Sequence, residues 1–282
     1  MKFSDVHIRD PFVLPYDGKY YLYGTRGSTA WTKAEGLDVY VSTDLEDWTD
    51  AHECFAVPQN FWADKEIWAP EVHHYNGSFY MFVTFRSEER DRATQILKSD
   101  SPMGPFLPFT EDAITPIGWR CLDGTFYVDK KGVPYIIFCR EWQQVKDGEI
   151  HAMKLKKDLT AADGEPILLF KASQPDWADK TRETFITDGP FMYRTKDDRL
   201  LMIWSTFTPK GYVQAVAYSD NGEINGNWLH ESPMFEENGG HGMIFDDFNG
   251  NKYLILHSPN ENPYERPILF PVVEIDGSIK LV

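Results

Sequence analysis

Three aspartates stand directly before apolar runs at widely separated points of the chain. Asp10 opens "DPFVL", Asp123 opens "DGTFYV" and Asp188 opens "DGPFMY". A single aspartate before proline or glycine is usually a turn or strand-entry residue. Three in similar contexts favour a chemical role, because carboxylates held close together are costly unless they serve a function. Two carboxyl groups on a rigid frame can cleave a glycosidic bond, one as a proton donor and the other as a base or nucleophile.

The aspartates belong to a repeated pattern that would position them. Five segments each contain an apolar run, a turn with glycine, aspartate or asparagine, and an aromatic-rich run. Each pair of runs predicts a β-hairpin, and a looser third strand follows each hairpin. No segment longer than ten residues shows sustained helical periodicity. The five segments start at Asp10, Ala69, Asp123, Asp188 and His241.

Repeated units of three or four strands at this spacing predict an all-β fold, a five-bladed β-propeller that spans residues 1–282 as a single domain. A β-sandwich with coincidental spacing is the alternative. If the first strand of each hairpin is innermost, the five segment starts meet at one mouth of the propeller axis. The second strands run back to the same mouth and bring polar residues there: Thr25 with Arg26, Thr84 with Arg86, Arg140 with Glu141, Ser205 with Thr206, and His257.

Composition narrows the class of protein and its partners. With 42% apolar and 15% aromatic residues the chain can form a packed core. Its 44 acidic and 28 basic residues give a diffusely acidic surface, which argues against a nucleic-acid partner. No apolar run approaches the length of a membrane span, and the N-terminus lacks a signal pattern, so a cytoplasmic protein is expected. Cys54, Cys121 and Cys139 lack metal-like spacing and are expected to be buried thiols.

Four motifs, in this order and at this spacing, resemble glycoside hydrolase family 43, whose members are five-bladed propellers that act on arabinose-, xylose- and galactose-containing glycans with inversion. "RDPFV" is similar to the family's N-terminal motif, and the resemblance implies that Asp10 is the general base. "WAPEVHHYNGSFYMF" is similar to the second-blade signature. "LDGTFYV" implies that Asp123 orients the general acid and tunes its pKa. "GGHGMIF" implies that His241 lies near the axis, beside a calcium ion or a water cluster.

The fourth blade departs from the family pattern. The family's general acid is normally a glutamate before Gly-Pro, whereas this chain has Asp188 in "ITDGPFMYR". An aspartate reaches about 1.5 Å less far than a glutamate, and a proton donor must lie within hydrogen-bond range. Glu141 is the alternative acid, because it ends the strand that pairs with the one Asp123 begins. A carbohydrate-binding propeller without hydrolytic activity is a further reading of this departure.

The sequence therefore predicts an inverting, exo-acting glycosidase that releases terminal α-L-arabinofuranosyl or β-D-xylosyl residues from oligosaccharides. A galactofuranosidase or a phosphorylase on the same frame is an alternative. No cofactor is required, beyond a structural calcium ion that the resemblance allows on the axis. Because side chains alternate along a strand, Arg9 is expected to point away from the axis. The residues expected to contact the sugar are Trp68, Arg86, Arg140, Trp142, Thr206, His241 and His257, with Phe12 as a further aromatic candidate.

Overall fold

The computed structural model describes residues 1–33 and 35–282 and shows an all-β, five-bladed β-propeller. Each blade is a four-stranded antiparallel sheet built from strands consecutive in sequence. Blade one contains β1 (Ile8–Tyr16), β2 (Lys19–Arg26), β3 (Gly36–Ser42) and β4 (His52–Ala56). Blade two contains β5 (Lys65–Tyr75), β6 (Ser78–Arg86), β7 (Ala93–Ser99) and β8 (Leu107–Pro108).

The remaining blades follow the same order. Blade three contains β9 (Cys121–Val128), β10 (Pro134–Arg140), β11 (Glu149–Lys154) and β12 (Ile167–Lys171), with the short helix α1 (Trp142–Val145) after β10. Blade four contains β13 (Asp188–Arg194), β14 (Leu200–Thr208), β15 (Gly211–Ser219) and β16 (Trp228–His230). Blade five contains β17 (Gly240–Asp246), β18 (Lys252–Ser258), β19 (Arg266–Ile275) and β20 (Ser278–Leu281). A 3-10 turn, Phe3–Asp5, precedes β1.

The sequence predictions of an all-β propeller and of five hairpins are confirmed, since each predicted hairpin forms the first two strands of a blade. Apolar side chains pack between neighbouring blades. Phe82 of blade two stacks on Phe126 of blade three at a ring distance of 5.4 Å, and Phe170 of blade three meets Trp204 of blade four at 5.1 Å. All three cysteines are free and buried, as expected. Among the described residues, no helix has the length and apolar character needed to cross a membrane.

Every innermost strand contains a β-bulge close to its start. At each bulge two residues face one residue of the second strand, and the first of the two has a left-handed backbone conformation. The bulges place the start of each inner strand in the same geometry around the axis. The left-handed residues are Asp10 (φ 53°), Ala69 (φ 48°), Asp123 (φ 55°), Gly189 (φ 50°) and His241 (φ 52°).

The bulges show that the predicted start of the blade-four segment is one residue too early. Gly189, and not Asp188, occupies the position of Asp10 and Asp123, so the prediction that the three aspartates are equivalent is wrong for Asp188. Asp188 instead precedes the bulge, as Arg9 does in blade one. Glycine fits this site because a Cβ atom on Gly189 would lie 2.6 Å from the ring of His241, and because its φ is positive.

Candidate active site

A pocket of about 250 Å³ opens where the inner strands begin. Its residues come from the bulges, from the residues just before them and from the surrounding loops. The bulges contribute Asp10, Asp123 and His241; the positions before them contribute Arg9, Trp68, Leu122 and Asp188; the loops and α1 contribute Trp31, Arg92, Glu141, Trp142, Gln143 and Ile186.

A ring of hydrogen bonds between blades holds the bulges in place. The backbone N–H of the left-handed residue donates to a side chain on the second strand of the preceding blade. The distances are 2.8 Å from Ala69 N to Thr25 Oγ1, 2.8 Å from Asp123 N to Thr84 Oγ1, 2.7 Å from His241 N to Ser205 Oγ, and 3.1 Å from Asp10 N to His257 Nδ1. In blade four, Gly189 N donates instead to Asp123 Oδ2 at 3.0 Å. These bonds satisfy buried N–H groups that the bulges remove from the strand ladder.

Asp10 is buried among hydrogen-bond donors and positive charges. Thr25 Oγ1 donates to Asp10 Oδ2 at 2.7 Å, and His241 Nδ1 lies 3.2 Å from Asp10 Oδ1. Arg9 Nε lies 3.5 Å from the same oxygen. Burial alone would raise the pKa of Asp10, but the charges of His241 and Arg9 and the hydrogen bond to His241 hold it well below its ordinary value. Asp10 is therefore ionised at neutral pH.

Asp123 and Asp188 lie in the same pocket, and the pKa of each carboxyl is raised above its ordinary value. Burial, together with the charges of Asp188 and Asp10, raises the pKa of Asp123 to about 7, although His241 acts in the opposite direction. Burial also raises the pKa of Asp188, against the charge of His241 and a hydrogen bond of 3.1 Å that Tyr212 donates to Asp188 Oδ2. The pocket thus holds one ionised carboxylate beside carboxyls that are protonated more readily.

His241 balances the charge of these carboxylates. Its Nδ1 lies 3.2 Å from Asp10 Oδ1 and 3.7 Å from Asp123 Oδ2. Burial would lower the pKa of His241, but Asp10 and Asp123 raise it to about 9, so the imidazole is a cation at neutral pH. Among the described residues, no group of three or more His, Cys, Asp or Glu side chains could hold a metal ion. The calcium ion that the resemblance allows beside His241 stays a prediction.

Glu141 is held by an arginine through only one of its two carboxylate oxygens. Glu141 Oε1 accepts a hydrogen bond of 2.7 Å from Arg92 Nη1, whereas the buried Glu141 Oε2 has no hydrogen-bond partner in the part of the chain that the structure describes. Arg92 is itself fixed by Glu66 Oε2 at 2.7 Å and lies 4.5 Å from the centre of a Trp68 ring. Burial raises the pKa of Glu141, although the charge of Arg92 lowers it, and the charge of Asp188 adds to the increase.

The residues predicted to bind sugar divide into two groups. Trp68, Trp142 and His241 line the pocket. Arg86, Arg140, Thr206 and His257 are not among the described residues that line it. Arg86 pairs with Glu66 at 2.6 Å, Arg140 stacks on Trp119 at 4.0 Å, Thr206 Oγ1 donates to the Ile186 carbonyl at 2.6 Å, and His257 belongs to the ring of interblade hydrogen bonds. Phe12 packs against His73 at 5.0 Å and lines a separate apolar cavity.

Sequence reasoning missed several pocket residues. Arg9 was expected to point away from the axis, which is wrong, because the bulge interrupts the alternation and both Arg9 and Asp10 reach the pocket. Trp31 lies in the loop after β2 and is 54% exposed. Its ring is 5.1 Å from Trp68 and 5.0 Å from the Arg9 guanidinium. Arg92 precedes β7 in a loop, and no sequence pattern singles out either loop residue.

The sequence matches known proteins along most of its length. The family model described as "Glycosyl hydrolases family 43" matches residues 3–275. A xylosidase/arabinosidase of Bacteroides ovatus is 22% identical over 295 residues, covering 95% of this chain and 79% of that protein. The extracellular endo-α-(1→5)-L-arabinanase 1 of Bacillus subtilis (strain 168) is 23% identical over 153 residues, covering 51% of this chain and 46% of that protein. The match thus spans about half the length of this arabinanase.

A solved structure shares both the fold and much of the sequence. The endo-arabinase from Bacteroides thetaiotaomicron VPI-5482 superposes with a TM-score of 0.90 at 39% identity, covering 99% of this chain and 98% of that one. A thermostable family-43 glycoside hydrolase superposes with a TM-score of 0.86 at 24% identity, which supports the shared fold.

Proposed function

Because the chain belongs to glycosyl hydrolase family 43, we propose that it hydrolyses arabinose- or xylose-containing oligosaccharides with inversion and releases one terminal pentose at a time. One observation carries this proposal: a single pocket holds the ionised Asp10 together with carboxyl groups whose pKa values are raised. Hydrolysis with inversion needs this combination, a base that is deprotonated and an acid that is protonated at the same pH.

In this proposal Asp10 is the general base. It removes a proton from a water molecule that attacks the anomeric carbon, while its own orientation is fixed by Thr25 and His241. An inverting site needs about 6.5–9.5 Å between its carboxyl groups, to leave room for that water. Asp10 lies on β1 of blade one, and Glu141 directly follows β10 of blade three. The two carboxyl groups therefore reach the pocket from blades that are not neighbours.

We assign the proton donor to Glu141. Its side chain lines the pocket, and its Oε2 has no hydrogen-bond partner among the described residues, so a proton on that oxygen is not already committed to another residue. Asp188 raises the pKa of Glu141 through its negative charge, and Asp123 fixes the peptide that follows Asp188. Asp188, which has the motif position of the family's acid, is the other candidate donor.

The leaving group decides between the two donors. A missing general acid harms substrates with poor leaving groups most, because a good leaving group departs without a proton. Kinetics of Glu141→Gln and Asp188→Asn on aryl arabinofuranosides that differ in the pKa of the phenol would show which residue donates the proton. We expect Glu141→Gln to keep far more activity on the dinitrophenyl than on the phenyl glycoside. The same selective effect in Asp188→Asn, with Glu141→Gln affected equally on both substrates, would transfer the role to Asp188.

The small pocket favours exo action on a terminal sugar. Trp31, Trp68 and Trp142 line it, and aromatic faces of this kind suit the apolar faces of a sugar ring. Chromatography of early products from linear arabinan tests this, because an exo enzyme releases monosaccharide from the first minutes. Endo cleavage is the second candidate, and the likeness to a structure described as an endo-arabinase favours it. Early release of a ladder of oligosaccharides would support endo cleavage and overturn the exo proposal.

A further inference from the structure

The ring of interblade hydrogen bonds has one irregular link. In four places the second strand of a blade supplies a hydroxyl or imidazole acceptor for the bulge N–H of the next blade: Thr25, Thr84, Ser205 and His257. Each acceptor stands opposite the residue that precedes the bulge in its own blade. In blade three the corresponding residue, opposite Leu122, is Cys139.

Cys139 lies at this position without taking the expected hydrogen bond. Its side chain is fully buried, and this burial, followed by the charges of the nearby Asp123 and Asp188, raises the pKa of its thiol. A thiol is a weak acceptor compared with a hydroxyl or an imidazole. The N–H of Gly189 donates at 3.0 Å to Asp123 Oδ2.

We propose that Cys139 is a positioning residue, which leaves the Gly189 N–H to Asp123 and thereby ties the Asp123 carboxylate to the peptide that follows Asp188. The inference rests on the proposed function, in which Asp123 and Asp188 set the electrostatics of the acid. No other link of the ring is made by a carboxylate of the pocket, among the five bulges described. The presence of a cysteine at position 139, where the other blades have threonine, serine or histidine, therefore directly affects how the Asp123 carboxylate is held.

A hydroxyl at position 139 would restore the regular link and compete with Asp123 for the Gly189 N–H. Asp123 would then lose one of the donors that fix its orientation, while Asp10, Asp188 and His241 would still face it from blades one, four and five. We expect turnover to fall and substrate binding to persist, because Asp123 would no longer hold its place beside Asp188. Loss of one hydrogen bond to a charged group corresponds to a change of about ten-fold.

The test compares kcat and KM for Cys139→Ser with those of four further variants, on the aryl glycoside that the wild-type protein cleaves best. Cys54→Ser is the matched control, since it also replaces a buried thiol by a hydroxyl but lies in β4, away from the pocket. Cys139→Thr is a second hydroxyl variant, with the side chain found at Thr25 and Thr84. It replaces Cys139→Ser in the kinetic test if that variant folds poorly. Cys139→Ala removes the thiol without adding an acceptor. Thermal unfolding of each variant reports folding separately from catalysis.

The expected result is a kcat about ten-fold lower in Cys139→Ser and Cys139→Thr, a KM within about two-fold of wild type, and no such fall in Cys54→Ser. An equal fall in Cys139→Ala would overturn the inference, because the effect would then come from packing. Asp123→Asn tests the proposed role of Asp123 separately from the inference about Cys139. If Asp123→Asn keeps wild-type turnover, the proposed role of Asp123 fails; if it is impaired and Cys139→Ser behaves like Cys54→Ser, only the inference about Cys139 fails.

Discussion

Asp10 owes its expected reactivity to groups from blades one and five. Thr25 has a single hydroxyl proton, and because its oxygen accepts the Ala69 N–H, that proton is directed to Asp10 Oδ2. His241 and Arg9 supply the positive charges that keep the carboxylate ionised. The aspartate was visible in the sequence as a residue before Pro11, whereas the partners that set its pKa come together only through the fold.

Replacing Asp10 by asparagine keeps its shape and removes its ability to accept a proton. We expect Asp10→Asn to lower kcat by about 10²–10⁴-fold, which is the usual contribution of a general base. The melting temperature should show that the variant is folded. Steady-state kinetics on an aryl arabinofuranoside measures the loss, and turnover within ten-fold of wild type would rule out Asp10 as the base.

The cationic His241 makes stability depend on pH. Its pKa in the folded protein is about 9 and therefore above the ordinary value of 6.5, so the folded state binds more protons between these two pH values. The stabilisation is complete below pH 6.5 and is lost as the pH rises through 9, with an upper bound of about 3 kcal/mol. Urea titrations from pH 6 to 10 measure it. A profile as steep in His241→Gln as in wild type would contradict this source of the pH dependence.

The inner strands show what can and cannot be read from a hairpin pattern. Apolar and aromatic runs separated by turn residues such as Asp17-Gly18 are sufficient to predict paired strands. They do not reveal a bulge, because an extra residue that faces no partner leaves the apolar runs intact. For this reason the register of Asp188 and the direction of Arg9 were predicted wrongly, although the strands themselves were found.

Each interblade hydrogen bond at a bulge is expected to make its own contribution to the free energy of unfolding. Thr84→Val keeps the side-chain shape and leaves the buried Asp123 N–H without its acceptor, at a cost of about 1–3 kcal/mol. Thr94→Val in the neighbouring β7 is the matched control, because no described residue forms a hydrogen bond with the buried Thr94 Oγ1. Denaturant unfolding compares the two variants. If Thr94→Val destabilises the protein as much as Thr84→Val, the ring does not have the assigned energetic role.

The loop after β2 offers an aromatic surface at the pocket. Trp31 is more than half exposed although it contacts Trp68, and in the proposed function it stacks on the substrate. We expect Trp31→Ala to raise KM for arabino-oligosaccharides by about three- to ten-fold, the value of one aromatic contact. Phe248→Ala removes an aromatic residue of similar exposure, 50%, that does not line the pocket. Equal KM values for both variants would remove Trp31 from the binding site.

The whole propeller explains how residues far apart in sequence meet. Each sheet is made of consecutive strands, so the first and last blades are joined by side chains and packing, including the bond from Asp10 N to His257 and contacts of Arg9 with Asn260 and Glu265. The five-fold repeat in the sequence was sufficient to predict this architecture and to bring Asp10, Asp123 and His241 together. It did not predict the loop residues Trp31 and Arg92, because the loops that join the second and third strands of a blade do not repeat.

The anomeric configuration of the first product distinguishes a general base from a nucleophile at Asp10. If Asp10 activates water, that water attacks the anomeric carbon on the face opposite the leaving group. Proton NMR during the first minutes of hydrolysis of an aryl α-L-arabinofuranoside, before mutarotation, would record the configuration. We expect β-L-arabinofuranose to appear first. If the α anomer appears first, Asp10 acts as a nucleophile and its assignment as general base is wrong.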